Sequence, residues 1–141
     1  MDFKLSVNNN EFAVGEFNTR LKNIKEKITR AIGNSLYTIE GNAKTACPVD
    51  TGGLRQSITA EIFTDQIGGR VVCMENIIPP IGAFVEFGTG KYAERSIPEG
   101  LEIYARTFYV NGKGHMPAKP FLFPAFFAEQ ERLLDVLKNK L

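Results

Sequence analysis

The apolar residues in the first third of the chain recur every three or four positions. From about Phe17 to Ala46 they share one helical face, and lysine, arginine and glutamate fill much of the opposite face. Pro48 lies just beyond this stretch and is expected to end the helix. Gly33 and Gly41 lie inside it, and each predicts a bend or a close helix contact. The pattern therefore predicts one long amphipathic helix.

The middle of the chain alternates between apolar and polar residues, as half-buried strands do. The alternation runs from Ser57 to Thr64, a Gly68-Gly69 pair follows, and a second apolar run extends from Val71 to Met74. This order predicts a β-hairpin. After the next pair of prolines, the segment from Ala83 to Phe87 is either a short strand or a turn of helix.

The chain ends in a second helical pattern. Pro124 suits the first turn of a helix, and the leucines that follow it recur at helical spacing on one side. Acidic residues precede basic ones along this segment, as the helix dipole favours. The elements together predict an α+β fold, in which a long N-terminal helix and a C-terminal helix pack on a small, mainly antiparallel β-sheet with a long inserted loop.

Two segments fall outside these patterns and set the predicted boundaries. Residues 1–16 are polar and rich in asparagine, so we expect an N-terminal arm before a single domain over residues 17–141. Residues 91–115 form the inserted loop of that domain. A rival interpretation of the arm makes an alternating strand of its first apolar residues, Phe3, Leu5 and Val7.

Charge and composition exclude several classes of protein. The formal net charge is +1, whereas a dedicated nucleic-acid binder usually has a strongly basic surface. Because the sequence has neither a run of roughly 20 apolar residues nor the pattern of a signal peptide, we expect synthesis in the cytoplasm and no membrane contact. Cys47 and Cys73 lack the spacing of a zinc or redox motif and are expected to be buried thiols. The sequence predicts no metal and no cofactor.

Asp50-Thr51-Gly52 is the tripeptide of aspartic proteases, in which two such aspartates share a proton and activate water. A protease that acts as a dimer is therefore one hypothesis. Here, however, the tripeptide follows a predicted helix and a proline, and the next residue is Gly53. The structural alternative is that Asp50 or Thr51 caps a short turn that begins at Gly52, with Arg55 available to pair with a carboxylate.

Gly88-Thr89-Gly90-Lys91 has part of the composition of a phosphate-binding loop. The first glycine and the final hydroxyl of such a loop are missing, because Val85 and Tyr92 occupy those positions. A plain turn is the preferred interpretation. Glu86, just before this turn, is placed by strand alternation on the solvent or interface side.

Phenylalanines and prolines crowd together before the C-terminal helix. The residues are Pro120, Phe121, Phe123, Pro124, Phe126 and Phe127. A small domain has too little interior for all four aromatic rings, so we expect part of the cluster in the core and part in a subunit contact.

Three of these segments occur in a recognisable order between the two predicted helices. They are PVDTGGLRQSI at Pro48–Ile58, AFVEFGTG at Ala83–Gly90 and MPAKPFLFPAF at Met116–Phe126. In this order the chain resembles the tail-completion, or head–tail joining, proteins of long-tailed bacteriophages and related prophages. The flanking helices extend the resemblance from Phe17 onward.

The resemblance implies a non-enzymatic structural protein of the virion neck. The chain would be one subunit of a ring, expected to be a homo-hexamer, between the head-side connector and the tail tube or tail terminator proteins. Genome DNA would pass through the lumen without sequence-specific binding. A charge pair between Glu86 and Arg55 is expected. The implied structural and interface positions are Asp50, Thr51, Gly52, Leu54, Arg55, Glu86, Phe87, Gly88, Thr89, Pro117, Pro120, Phe121, Phe123 and Pro124.

The segment over residues 91–115 departs from the family pattern, in which a short connection joins the second and third motifs. Loops of this length in compact domains are usually functional or disordered. We expect this one to reach a neighbouring subunit or neck protein. A DNA-binding accessory module that uses the lysine-rich helix face is a further hypothesis, and it predicts binding that falls steeply with salt.

Overall fold

The computed structural model describes residues 11–74, 81–89 and 116–140. Their elements are α1 (Glu11–Ala46), α2 (Gly53–Ser57), β1 (Ile58–Ile62), β2 (Gly69–Cys73), α3 (Ile81–Phe87) and α4 (Leu122–Lys140). The predicted α+β fold, with a long helix at each end and a small antiparallel sheet between them, is confirmed. The predicted loop over residues 91–115 lies outside the described residues.

Helix α1 has 36 residues and begins before the predicted start at Phe17. The prediction of an arm is therefore wrong for residues 11–16, because the three-residue step from Val14 to Phe17 continues the apolar face of the helix. Residues 1–10, including the rival strand, lie outside the described part. The helix ends at Ala46, before Pro48 as predicted.

Strands β1 and β2 form the predicted hairpin, with Ile58 opposite Cys73 and Ile62 opposite Gly69. Gly33 of α1 lies against this hairpin, since an added Cβ there would come within 3.1 Å of Ile62 Cδ1. The close contact predicted at Gly33 is thus real, but its neighbour is a strand rather than a helix. An added Cβ at Gly41 meets nothing within 4 Å. The segment over residues 81–87 is helical, which decides between the two predicted alternatives.

The core lies where the C-terminal half of α1 meets the hairpin, α3 and the start of α4. Its buried members are Ile39, Ala43, Cys47, Ile58, Val85, Phe121 and Ala125. Helix α4 runs antiparallel to α1, because Phe121 and Ala125 join Ala43 in this cluster whereas Glu129 bonds to Ser35 further back along α1. Cys47 is buried as predicted, whereas Cys73 is only half-buried.

Two glutamates connect the helices to their neighbours. Glu40 of α1 accepts a hydrogen bond from the Lys44 ammonium and another, of 3.0 Å, from the Ala60 amide of β1. This second bond satisfies a donor on the free edge of the hairpin. Glu129 of α4 is buried and bonds to Ser35 of α1, and it also accepts hydrogen bonds of 2.8 to 3.0 Å from the Arg132 guanidinium of its own helix.

These contacts predict a stability that falls in acid. The hydrogen bond from Lys44 holds the pKa of Glu40 below 4.5, and the bond from Arg132 does the same for Glu129. A carboxyl whose pKa is lower in the folded state stabilises the fold above its unfolded pKa, and this contribution is lost as pH falls through the folded pKa. We therefore expect the free energy of unfolding, measured with urea, to decline below about pH 4.5. Glu129→Gln should flatten that decline, and an unchanged acid slope would contradict the assignment.

Candidate functional site

The first motif, Pro48–Ile58, turns the chain from α1 into β1. The Cys47 amide donates a hydrogen bond of 2.8 Å to the Ala43 carbonyl in the last turn of α1. Pro48 has no amide hydrogen, so it cannot continue the hydrogen bonding of the helix. Gly52 then adopts a left-handed conformation with φ of 86°, and its carbonyl accepts the Gln56 amide at 3.0 Å. Only glycine takes this conformation at little cost. The turn thus depends on Gly52 itself.

The prediction that Asp50 or Thr51 caps this turn is wrong. The residue at the start of α2 is Gly52, and no side chain caps that helix. The Thr51 hydroxyl lies 3.5 Å from the Gly53 amide, which is too long for an effective cap. Asp50, Thr51 and Arg55 are exposed. The left-handed backbone conformation of Gly52 makes the turn, and the Asp50 carboxylate remains exposed to solvent.

The end of the first motif fixes the hairpin to the turn. The Ser57 hydroxyl donates to the Leu54 carbonyl at 2.7 Å, and the Ser57 carbonyl accepts the Met74 amide at 3.0 Å. Leu54 is half-buried and packs against the core cluster. The motif therefore connects the end of α1, the short α2 and both strands.

Glu86 of the second motif caps the C-terminal helix from a distance. Its Oε2 accepts the amides of Phe121 and Leu122 at 2.8 and 2.9 Å, and its Oε1 accepts the amide of Phe123 at 3.0 Å. The next residue, Pro124, has no amide hydrogen. One carboxylate and one proline together leave no unpaired N–H in the first turn of α4, where helices have no backbone partners of their own. The negative charge also faces the positive end of the helix dipole.

Two expectations about Glu86 are therefore wrong. The side chain is 5% exposed, so it lies on neither a solvent nor an interface side. Its carboxylate binds backbone amides rather than Arg55, and the ion pairs within the described residues do not include those two. The physical reason is that residues 81–87 are helical, so the period of two that would turn Glu86 outward does not apply.

The turn after α3 binds the start of the third motif. Gly88, with φ of 73°, ends α3 and donates its amide to the Phe84 carbonyl at 2.8 Å. The Thr89 amide donates to the Met116 carbonyl at 2.8 Å, and the Thr89 hydroxyl accepts the Met116 amide at 3.1 Å. A phosphate-binding loop would need such amides and hydroxyls for its ligand. Here the protein itself occupies them, and Gly90 and Lys91 lie outside the described residues.

A cavity of about 700 Å³ opens where the three motifs meet. Its charged wall residues are Asp50 and Lys119. The apolar wall comes from all three motifs, from the end of the hairpin and from the start of α3, and includes Val49, Leu54, Met74, Ile81, Val85 and Met116. Pro117 also lines it and is exposed, as is Pro120 further along. The motifs thus form a shared surface as well as a shared scaffold.

The aromatic cluster is divided between the core and the surface of the chain. Phe121 is 1% exposed and lies at the centre of the core, and Phe87 is buried. Phe123 is half-buried between Phe87 and Phe127, with ring centroids 5.6 and 6.3 Å apart. Phe126 and Phe127 are 45% and 42% exposed. The exposed pair is available for a contact with another chain.

Comparison of the chain with protein-family models, curated proteins and solved structures gives no match. Among the described residues, no helix is long and apolar enough to cross a membrane.

Sequence reasoning missed the role of Glu86 as a cap and the link from Glu40 to Ala60. Both join residues far apart in the chain, so no local spacing indicates them. The pair of Glu129 and Arg132 did have a local signal, because residues three apart on a helix are neighbours.

Proposed function

We propose that this protein is a structural subunit of a tailed-bacteriophage virion that completes the tail and joins it to the head. It acts in the neck, as one member of a homo-oligomeric ring between the head-side connector and the tail tube or tail terminator. It performs no catalysis there. Its work is to hold surfaces in fixed positions.

The observation that carries the proposal is the way the three motifs fit together. These motifs are the basis of the resemblance to neck proteins, and they lie far apart in the sequence. In the fold Glu86 and Thr89 of the second motif form hydrogen bonds with the backbone of the third motif. The first motif lines a cavity beside them. The side chains of Ser57, Glu86 and Thr89 in these motifs bond to backbone groups, as a structural role requires. A shared scaffold of this kind supports one origin for the three motifs.

Loss of the protein provides the test of this function. A phage or prophage whose gene for this chain is deleted should accumulate DNA-filled heads and separate, complete tails, visible by electron microscopy. Supplying the wild-type gene from a plasmid should restore joined particles. Normal joined particles in the deletion strain would refute the proposal.

Asp50→Asn separates this proposal from the protease hypothesis. The Asp50 side chain is exposed, so the substitution should leave the fold intact. If the protein is a structural subunit, neither the wild type nor the Asp50→Asn variant should show Asp50-dependent cleavage of a peptide library, whether or not the variant restores joined particles. A folded variant that fails to restore them, together with peptide cleavage by the wild type alone, would favour the protease instead.

A further inference from the structure

One apolar stripe runs along the whole of α1, but only half of it is covered. In the C-terminal half its members are buried by the hairpin and α4, as at Ile39 and Ala43. In the N-terminal half the stripe continues at the same helical spacing through Val14, Phe17, Leu21 and Ile24, which we call the exposed stripe. Val14 and Phe17 are 60% and 61% exposed. Contact with a partner would remove this apolar surface from water, which favours association.

The antiparallel register explains why the protein's own α4 leaves this stripe uncovered. Glu129 bonds to Ser35, so each later residue of α4 lies beside an earlier residue of α1. On this register the end of α4 at Lys140 lies beside Ile24. Val14 and Phe17 therefore project beyond the packed part of the chain.

The chain also offers an apolar surface on the outer side of α4. It consists of Phe126, Phe127 and Leu134, all exposed, and we call it the α4 patch. Phe127 and Leu134 are seven residues apart and share one helical face. Two exposed apolar surfaces therefore occur at different places on one chain.

Charge distinguishes the two surfaces. The exposed stripe is flanked on both sides by exposed basic residues, namely Arg20, Lys25 and Lys27, with Glu16 one turn before Arg20. The α4 patch is flanked by exposed acidic residues, Glu131 and Asp135, with Lys138 one turn beyond Leu134. None of these seven charges belongs to an ion pair within the described residues. The apolar parts match each other and the flanking charges are opposite.

We propose that the exposed stripe of one copy packs on the α4 patch of a second copy. If stripe packed on stripe, Arg20, Lys25 and Lys27 would face the same basic residues of the second copy, and the like charges would repel. If patch packed on patch, Glu131 and Asp135 would likewise face acidic residues. A contact between unlike surfaces leaves one stripe and one patch free on each pair. Such head-to-tail contacts generate rings when the rotation closes. This inference rests on the proposed ring and names the contact that builds it.

Photo-cross-linking from the exposed stripe tests this contact. Phe17→p-benzoylphenylalanine keeps an aromatic side chain at an exposed position, and Tyr37→p-benzoylphenylalanine is the control because Tyr37 is equally exposed on another face of α1. Mixing isotopically light and heavy chains reveals cross-links between copies by mass spectrometry. The experiment is done on the concentrated full chain and in cells that assemble particles, so that partner proteins are present.

We expect heavy–light cross-links from position 17 into residues 122–140, at least about tenfold more abundant than those from position 37. A product that joins a heavy chain to a light chain cannot arise within one chain. On the antiparallel register Phe127 of the same chain also lies beside residue 37, about 30 Å along α1 from position 17. Cross-links from α1 to α1, or none in either setting, would overturn the inference.

A mixing experiment identifies which surfaces meet. A light chain that carries the cross-linker at position 17 together with Phe127→Asp has only its stripe intact. A heavy chain that carries the cross-linker at position 17 together with Leu21→Asp has only its patch intact. These two chains should cross-link, whereas two copies of either chain alone should not. If the mixture fails while the single chains cross-link, the contact is not head-to-tail. If this contact is absent while head–tail joining still depends on the chain, the inference is refuted and the proposed function is not.

Discussion

Glu86→Ala should lower the free energy of unfolding by about 3 to 5 kcal/mol, one of the two largest effects that we expect from a single substitution. The change removes the acceptor of three amides at the start of α4, one of which belongs to the buried Phe121. Hydrogen bonds to a charged group are worth about 1.5 to 3 kcal/mol each, and buried donors without a partner add their own cost. The midpoint of thermal unfolding should fall by roughly 10 °C or more.

Glu86→Gln separates the charge from the shape of this cap. The amide is nearly isosteric, but one of its two polar atoms becomes a donor and faces a backbone N–H. We expect a loss of about half that of the alanine variant. Glu131→Gln is the matched control, because Glu131 is exposed on α4 and should change stability by no more than about 0.5 kcal/mol. Equal effects at positions 86 and 131, in urea denaturation, would contradict the proposed cap.

Phe121→Ala should be destabilising to a similar extent, by about 3 to 5 kcal/mol. Phe121 is 1% exposed and packs in the cluster that joins α1, the hairpin, α3 and α4. Truncation to alanine removes the buried ring and leaves a cavity that close-packed neighbours fill only in part. Thermal and urea unfolding measure the loss directly.

Phe126→Ala is the companion to this variant, since it deletes the same ring five residues further along. Phe126 is 45% exposed, so its truncation should cost about 1 kcal/mol or less. The same variant should weaken joining of heads to tails, because Phe126 belongs to the α4 patch. Similar losses of stability at positions 121 and 126 would show that the division into core and surface is wrong.

The elements that the sequence predicts well are those with a local cause. Helix α1 follows from spacing that repeats over many turns, and its end follows from Pro48, which removes a donor. The hairpin follows from alternation interrupted by a glycine pair. Each of these signals lies within a few residues of the structure it predicts, although α1 begins at Glu11 rather than at the predicted Phe17.

The roles of single side chains were predicted less well, because they depend on distant partners. Asp50 and Thr51 have the composition of a cap, yet the left-handed backbone of Gly52 makes the turn without them. Glu86 was expected on a solvent or interface side, yet it binds amides 35 to 37 residues away. The side chain cannot reveal such a partner until the third motif is placed beside the second. Local pattern therefore predicts elements, whereas packing assigns the functional groups.

The most direct test of the proposed function is the position of the chain in the particle. Purified, joined particles carrying an epitope tag at the C-terminus of this chain can be labelled with gold-conjugated antibody and viewed by electron microscopy. A neck subunit predicts gold at the junction between head and tail, in particles whose protein composition includes the chain. Joined particles that lack the chain, or that carry the label elsewhere, would contradict it.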